Sequence, residues 1–115
     1  MKNKKFVVAG VGFNDILTLI NNNNNLKKYF VGFIDDKIKK KKNCLILGKW
    51  NILRKNKKYL VFNSVGKNMT LRNKATKKLL KYKVNFINLI SNKASLGNCK
   101  LGKGIAIFDN TFLGD

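Results

Sequence analysis

The sequence has no histidine and no proline, and only two cysteines in its 115 residues. Without histidine there is no imidazole to act as a general base, to pair with a thiol nucleophile or to ligate zinc. Cys44 and Cys99 stand far apart and match no metal-ligand spacing, so no metal site is expected and both are read as reduced thiols of a cytoplasmic protein. Arginine is nearly missing as well. Of 25 basic residues only Arg54 and Arg72 are arginine, and the formal net charge of +20 is almost wholly lysine set among abundant asparagine, including Asn21 to Asn25. Arginine is the side chain suited to bidentate contacts with phosphate and guanine, so this bias reads as a solvated surface, with weak non-specific attraction to polyanions and no specific nucleic-acid partner. Long apolar runs are absent too. Phe6 to Phe13 follows a basic start but is short and broken by Gly10 and Gly12, which makes it a strand and not a signal peptide or a membrane span.

What is present is an ordinary apolar fraction, 44%, enough for one small domain with a core of its own and a piece of a second. Phe6-Val7-Val8-Ala9 is a continuous apolar run ending at glycine, as expected of a strand buried on both faces of a parallel sheet. Asn14 or Asp15 is placed to cap a following helix whose stripe is Ile16, Leu17, Leu19 and Ile20, and the asparagine run ends it. Tyr29 to Ile34 reads as a second strand with Asp35-Asp36 at its carboxyl end. Leu45 to Gly48 is a short strand, Trp50, Ile52 and Leu53 form a brief helical turn, and Tyr59 to Phe62 is a further strand. Leu71, Ala75, Leu79 and Tyr82 recur at helical spacing from Met69 to Tyr82, with Asn68 or Thr70 as cap, and Val84 to Ile90 holds a last strand. The order predicts an α/β fold, a small Rossmann-like parallel sheet with flanking helices over residues 1–90.

After Ser91 the pattern changes. Leu101, Ile107 and Leu113 recur every six residues, two of them followed by glycine, which is the period of a hexapeptide β-helix. Residues 91–115 are thus expected to hold an incomplete hexapeptide β-helix, barely its first coil.

Val7-Val8-Ala9-Gly10-Val11-Gly12, Val31-Gly32-Phe33-Ile34-Asp35-Asp36, Leu47-Gly48, Val65-Gly66-Lys67-Asn68 with Arg72, and Leu89-Ile90 with Ala94 and Leu101-Gly102-Lys103-Gly104 form one ordered pattern. It resembles the acetyltransferases of bacterial glycan pathways that modify amino-sugar nucleotides or sialic acid, the bacillosamine N-acetyltransferase group among them. The resemblance implies a UDP-sugar-binding N-terminal domain, a left-handed β-helix, acetyl-CoA as cofactor of the full-length family, and a homotrimer. It places substrate at Gly10, Gly12, Phe13, Asp35, Asp36, Lys67, Asn68 and Arg72. Glycines at 10 and 12 allow a tight turn and close approach of a diphosphate to a helix N-terminus, and an acidic residue after the second strand accepts hydrogen bonds from the nucleotide. Phe13 and Asp15 stand where the family carries further glycines, and they bring bulk and negative charge to that turn.

The family's catalytic histidine has no counterpart here, and Ser91-Asn92 stands where His-Pro is common. No catalytic residue is therefore expected in these 115 residues, which would bind substrate without transferring an acetyl group. The alternative from another class is a non-catalytic nucleotide-binding Rossmann-like module. NAD-dependent oxidoreduction ranks below both, since no second substrate domain and no Tyr-Lys pair in a plausible place accompanies the sheet.

Overall fold

A computed structural model describes residues 4–11, 14–55, 58–65, 68–91, 104 and 106–107. Strand β1 (Phe6–Ala9) is buried along its whole length, and its side chains alternate between two cores. Phe6 and Val8 join Val11, Ile16, Leu19, Ile20, Phe33, Phe62 and Leu89 on one side. Val7 and Ala9 join Ile34, Trp50, Leu53, Val61, Ala75, Leu79 and Val84 on the other. A strand sandwiched in this way has no solvent face, which is why its sequence reads as an unbroken apolar run.

The chain passes from β1 through helix α1 (Asn14–Asn21) and helix α2 (Asn24–Tyr29) to β2 (Phe30–Ile34), then to β3 (Ile46–Gly48), a 3-10 helix (Trp50–Arg54), β4 (Leu60–Asn63), helix α3 (Met69–Leu80) and β5 (Asn85–Phe86). All five strands pair in parallel in the order β3-β2-β1-β4-β5. This is the expected α/β sheet with helices on both faces. Because the chain leaves β1 toward β2 and β3 and returns to its other side with β4, the strand order reverses between β1 and β4. In open parallel sheets that reversal opens a crevice at the strand carboxyl ends.

Three local readings change. The asparagine run ends α1 and also starts α2, because Asn23 caps the new helix: its Oδ1 accepts the N–H groups of Asn25 and Leu26 at 3.0 and 3.3 Å. Helix α1 itself begins at Asn14, so Asp15 lies inside the first turn, where its charge favours the helix dipole. The last expected strand is two strands. β5 closes the main sheet, and after Ile87-Asn88 the chain starts β6 (Leu89–Ile90), which pairs in parallel with β7 (Ala106–Ile107) in a second, two-stranded sheet. The hexapeptide positions Leu101 and Leu113 lie outside the described residues, as does Ala94. Of the α3 stripe, Ala75 and Leu79 are buried while Leu71, in the first turn, is 47% exposed. Only the later part of the helix lies down on the sheet.

Candidate functional site

Three strand ends meet at the strand-order reversal. At the first, Gly10 follows β1 with φ +100°, a conformation open to glycine and strained for other residues. A Cβ on Gly10 would stand 2.5 Å from Val65 Cγ2, so the turn needs glycine twice, for its dihedral and for the contact. Its N–H donates to the Ile34 carbonyl at 2.8 Å, and its carbonyl accepts the Ser64 hydroxyl at 2.7 Å. Ser64, which is buried, also donates its N–H to the Ala9 carbonyl at 2.9 Å. The loop after β4 thus opens directly against the glycine turn, locking the two sides of the strand-order reversal together.

At the second, Asp35 follows β2. Its Oδ2 accepts the Val11 N–H at 2.9 Å, and its Oδ1 accepts the N–H groups of Lys37 and Ile38, both at 2.8 Å. One carboxylate therefore fixes the glycine turn and starts the turn that carries the chain away from β2. A carboxylate has about four lone-pair sites, so three amides leave room for one more donor. Asp36 points to the other face. Its Oδ1 accepts the Trp50 N–H at 2.8 Å and its Oδ2 pairs with Lys78 Nζ at 2.5 Å, while that ammonium also lies 5.0 Å from the Trp50 ring centroid. Burial pushes the Asp36 carboxyl up, but the hydrogen bonds from Lys78 and Trp50 and the charges of Lys78 and Lys49 outweigh it and hold the group below its ordinary value. Lys78 is raised in return, chiefly by its hydrogen bond to Asp36.

At the third, Asn68 caps α3, its Oδ1 accepting the Leu71 N–H at 3.0 Å. Arg72 is exposed one turn further on, and Asn63, the last residue of β4, donates to Thr76 Oγ1 at 3.2 Å, tying strand to helix. Of the residues singled out in the sequence, Gly10 and Asp35 meet in one hydrogen-bonded turn, Asn68 and Arg72 share the first part of α3, and Asp36 is turned to the opposite face with Trp50 and Lys78. Gly12, Phe13 and Lys67 lie outside the described residues. Sequence reading missed Ser64 and Lys78. Ser64 is marked only by following a buried strand, and Lys78 is one lysine among many.

Among the described residues no group of His, Cys, Asp or Glu is arranged to hold a metal ion, and no helix is long and apolar enough to cross a membrane.

No protein-family model matches the sequence, and no curated protein does. Solved structures do. A mutant of perosamine N-acetyltransferase from Caulobacter crescentus, in complex with CoA and GDP-perosamine, superposes with a TM-score of 0.75 at 19% identity over 94% of this chain and 53% of that one. A second mutant of the same enzyme gives 0.76 at 18% identity, with the same coverage of both chains. The acetyltransferase domain of PglB from Neisseria gonorrhoeae gives 0.71 at 17% identity over 96% of this chain and 56% of that one. The chain spans about half the length of these structures. Over nearly all of its own length, it has the fold of the sugar-nucleotide N-acetyltransferases.

Proposed function

We propose that this chain is the N-terminal, substrate-binding part of an acetyl-CoA-dependent acetyltransferase acting on a nucleotide-activated amino sugar or sialic acid. Residues 1–90 form the nucleotide-binding domain, and residues 91–115 begin a left-handed β-helix. The observation that carries the reading is the hydrogen-bonded joint at the β1/β4 reversal, where Gly10, Asp35 and Ser64 tie together the loops after β1, β2 and β4. Its supports are the fold shared with enzymes solved with GDP-perosamine or as acetyltransferase domains, and the register of the second sheet. Leu89 pairs with Ala106 and Ile90 with Ile107, partners seventeen positions apart. A triangular coil of three hexapeptides returns in parallel after roughly 18 residues, so this spacing suits one coil stacked on the next.

In this reading the N-terminus of α1 faces the diphosphate, Asp35 uses its remaining lone pair on the base or ribose, and Asn68 and Arg72 border the sugar side. The resemblance implies that acetyl-CoA and a homotrimer go with the β-helix of a full-length relative. With no histidine in the sequence, these residues bind and do not transfer. The competing reading, a nucleotide-binding module without chemistry, shares the crevice and differs in the tail.

Calorimetric titration with UDP, GDP, UDP-N-acetylglucosamine and NAD at low salt tests the proposal. Saturable binding of UDP or GDP and of the sugar nucleotide, weakened by Arg72→Ala, is the expected result. Binding of NAD in preference to both diphosphates, or silence from all four ligands, overturns it. Acetyl transfer from acetyl-CoA by the 115-residue chain would overturn the statement that it lacks catalysis.

A further inference from the structure

A concavity lies away from this joint. It has a volume of about 520 Å³ and is lined by Arg54, Lys78, Lys81, Tyr82 and Lys83. Arg54 ends the 3-10 helix, a few residues before β4 begins, and Lys81 to Lys83 link α3 to β5. Arg54 and Lys81 to Lys83 thus stand near the amino ends of β4 and β5, whereas Gly10, Asp35 and Ser64 are at the carboxyl ends; Lys78, on the other side of the pocket, reaches Asp36 after β2. The two sites share no lining residue.

Four cations and no carboxylate line this pocket. The Lys78 charge is spent on Asp36, which leaves Arg54, Lys81 and Lys83 with like charges around one space. Such a grouping raises the local concentration of anions and favours a ligand that carries several negative charges at close spacing. Two features go beyond a scatter of surface lysines. The exposed Arg54 guanidinium lies 5.7 Å from the centroid of the half-buried Tyr82 ring, a cation–π contact that biases the planar fork toward the pocket. Lys83 sits at φ +56°, its N–H bonded to the Leu80 carbonyl, in the left-handed position that ends many helices and that glycine usually fills. A lysine there sets a cation beside the pocket in a left-handed backbone conformation, and strain of this kind gathers at ligand clamps. The volume is within the range of small-molecule sites, and the concave shape suits a compact ligand better than a duplex.

We propose that this pocket binds a small ligand carrying two or more linked phosphate groups, with Arg54, Lys81 and Lys83 contacting the phosphates and Tyr82 holding Arg54 in place. The two sites are told apart by their variants: Arg72→Ala reports on the nucleotide side of the sheet, whereas Arg54→Gln and Lys83→Gly report on this pocket.

Titration with inorganic tripolyphosphate, orthophosphate, ATP and a single-stranded oligonucleotide tests it, on the parent chain and on Arg54→Gln, Lys83→Gly and the double variant Lys39→Gln, Lys40→Gln. The last removes two charges from the exposed stretch 37–40 and serves as the control. The expected result is saturable one-to-one binding of tripolyphosphate, stronger than of orthophosphate, weakened about tenfold by Arg54→Gln and by Lys83→Gly and unchanged in the control. Residue 83 accommodates glycine at its observed φ, so Lys83→Gly keeps the fold and separates loss of charge from loss of structure. ATP held more tightly than tripolyphosphate, with the gain removed by Tyr82→Leu, identifies a nucleotide-borne source of the phosphates; equal affinities identify the free oligophosphate. No saturable binding, an equal loss in the control, or an oligonucleotide that outcompetes tripolyphosphate through the same residues overturns the proposal.

Discussion

The main-chain N–H of Val11 donates to the carboxylate of Asp35 across 24 positions of sequence. An amide at the glycine turn, of the kind that in such folds often faces a phosphate, is thus held by the protein's own acid. The same carboxylate receives Lys37 and Ile38, so removing it frees two turns at once. Hydrogen bonds to a charged acceptor are worth about 1.5–3 kcal/mol each when buried and less when exposed. Asp35→Ala is expected to cost about 2–3 kcal/mol in urea unfolding, and Asp35→Asn, which keeps one acceptor oxygen, roughly half of that. A variant as stable as the parent would show that the turn is held by other bonds.

Gly10→Ala is the sharper test of the same turn. The new Cβ meets Val65 Cγ2 and the backbone must hold φ +100°. A loss of about 3 kcal/mol follows from combining steric overlap with left-handed strain. A midpoint unchanged by more than a degree or two would show that Val65 moves aside freely.

The Asp36–Lys78 pair sets the response to pH. The carboxyl is held below its ordinary value, so the stability it contributes is present above pH ~4 and is lost as pH falls through the lowered folded value. The ammonium is raised, so its contribution is present below pH ~10.5 and is lost as pH rises through the raised folded value. With the Lys78 side chain 53% exposed, solvent screens the pair to about 0.5 kcal/mol. Asp36→Asn is expected to flatten both flanks of the stability profile by that small amount, measured by denaturation at acid, neutral and alkaline pH in low salt. A profile identical to the parent's would mean that the pair contributes nothing.

Asn68 separates a cap from a ligand contact. Asn68→Ala removes the acceptor for Leu71 N–H and is expected to cost about 1 kcal/mol, while Asn68→Ser restores it. If serine restores stability and not sugar-nucleotide affinity, the amide meets substrate as well. Recovery of both would leave Asn68 a cap alone.

The centre of the sheet was legible because β1 and the carboxyl half of β2 are buried on both faces. A run such as Phe6 to Ala9 has no polar alternation to confuse it with an edge, and the glycine that follows marks its end. Gly10 and Asp35 were legible by position, although the bond that joins them was not, since sequence distance says nothing about which amide a carboxylate meets. Helix α2 was hidden because asparagine stops one helix and caps the next with the same side chain, and six residues without a buried position carry no stripe. The division of Val84 to Ile90 into β5 and β6 was hidden because two-residue strands in different sheets look like one strand when only Ile87 and a single turn-forming residue, Asn88, separate them. Lys78 was lost among its neighbours, because only tertiary structure selects which of many lysines faces Asp36.

The passage from β5 to β6 takes two residues, Ile87 and Asn88, and Asn23 Nδ2 donates to the Ile90 carbonyl at 3.2 Å just beyond it. Leu89 anchors the same spot in the core shared with α1. A joint this short, braced on one side and plugged on the other, acts as a weld. Whatever is built on β6 and β7 inherits its orientation from the α1–α2 corner.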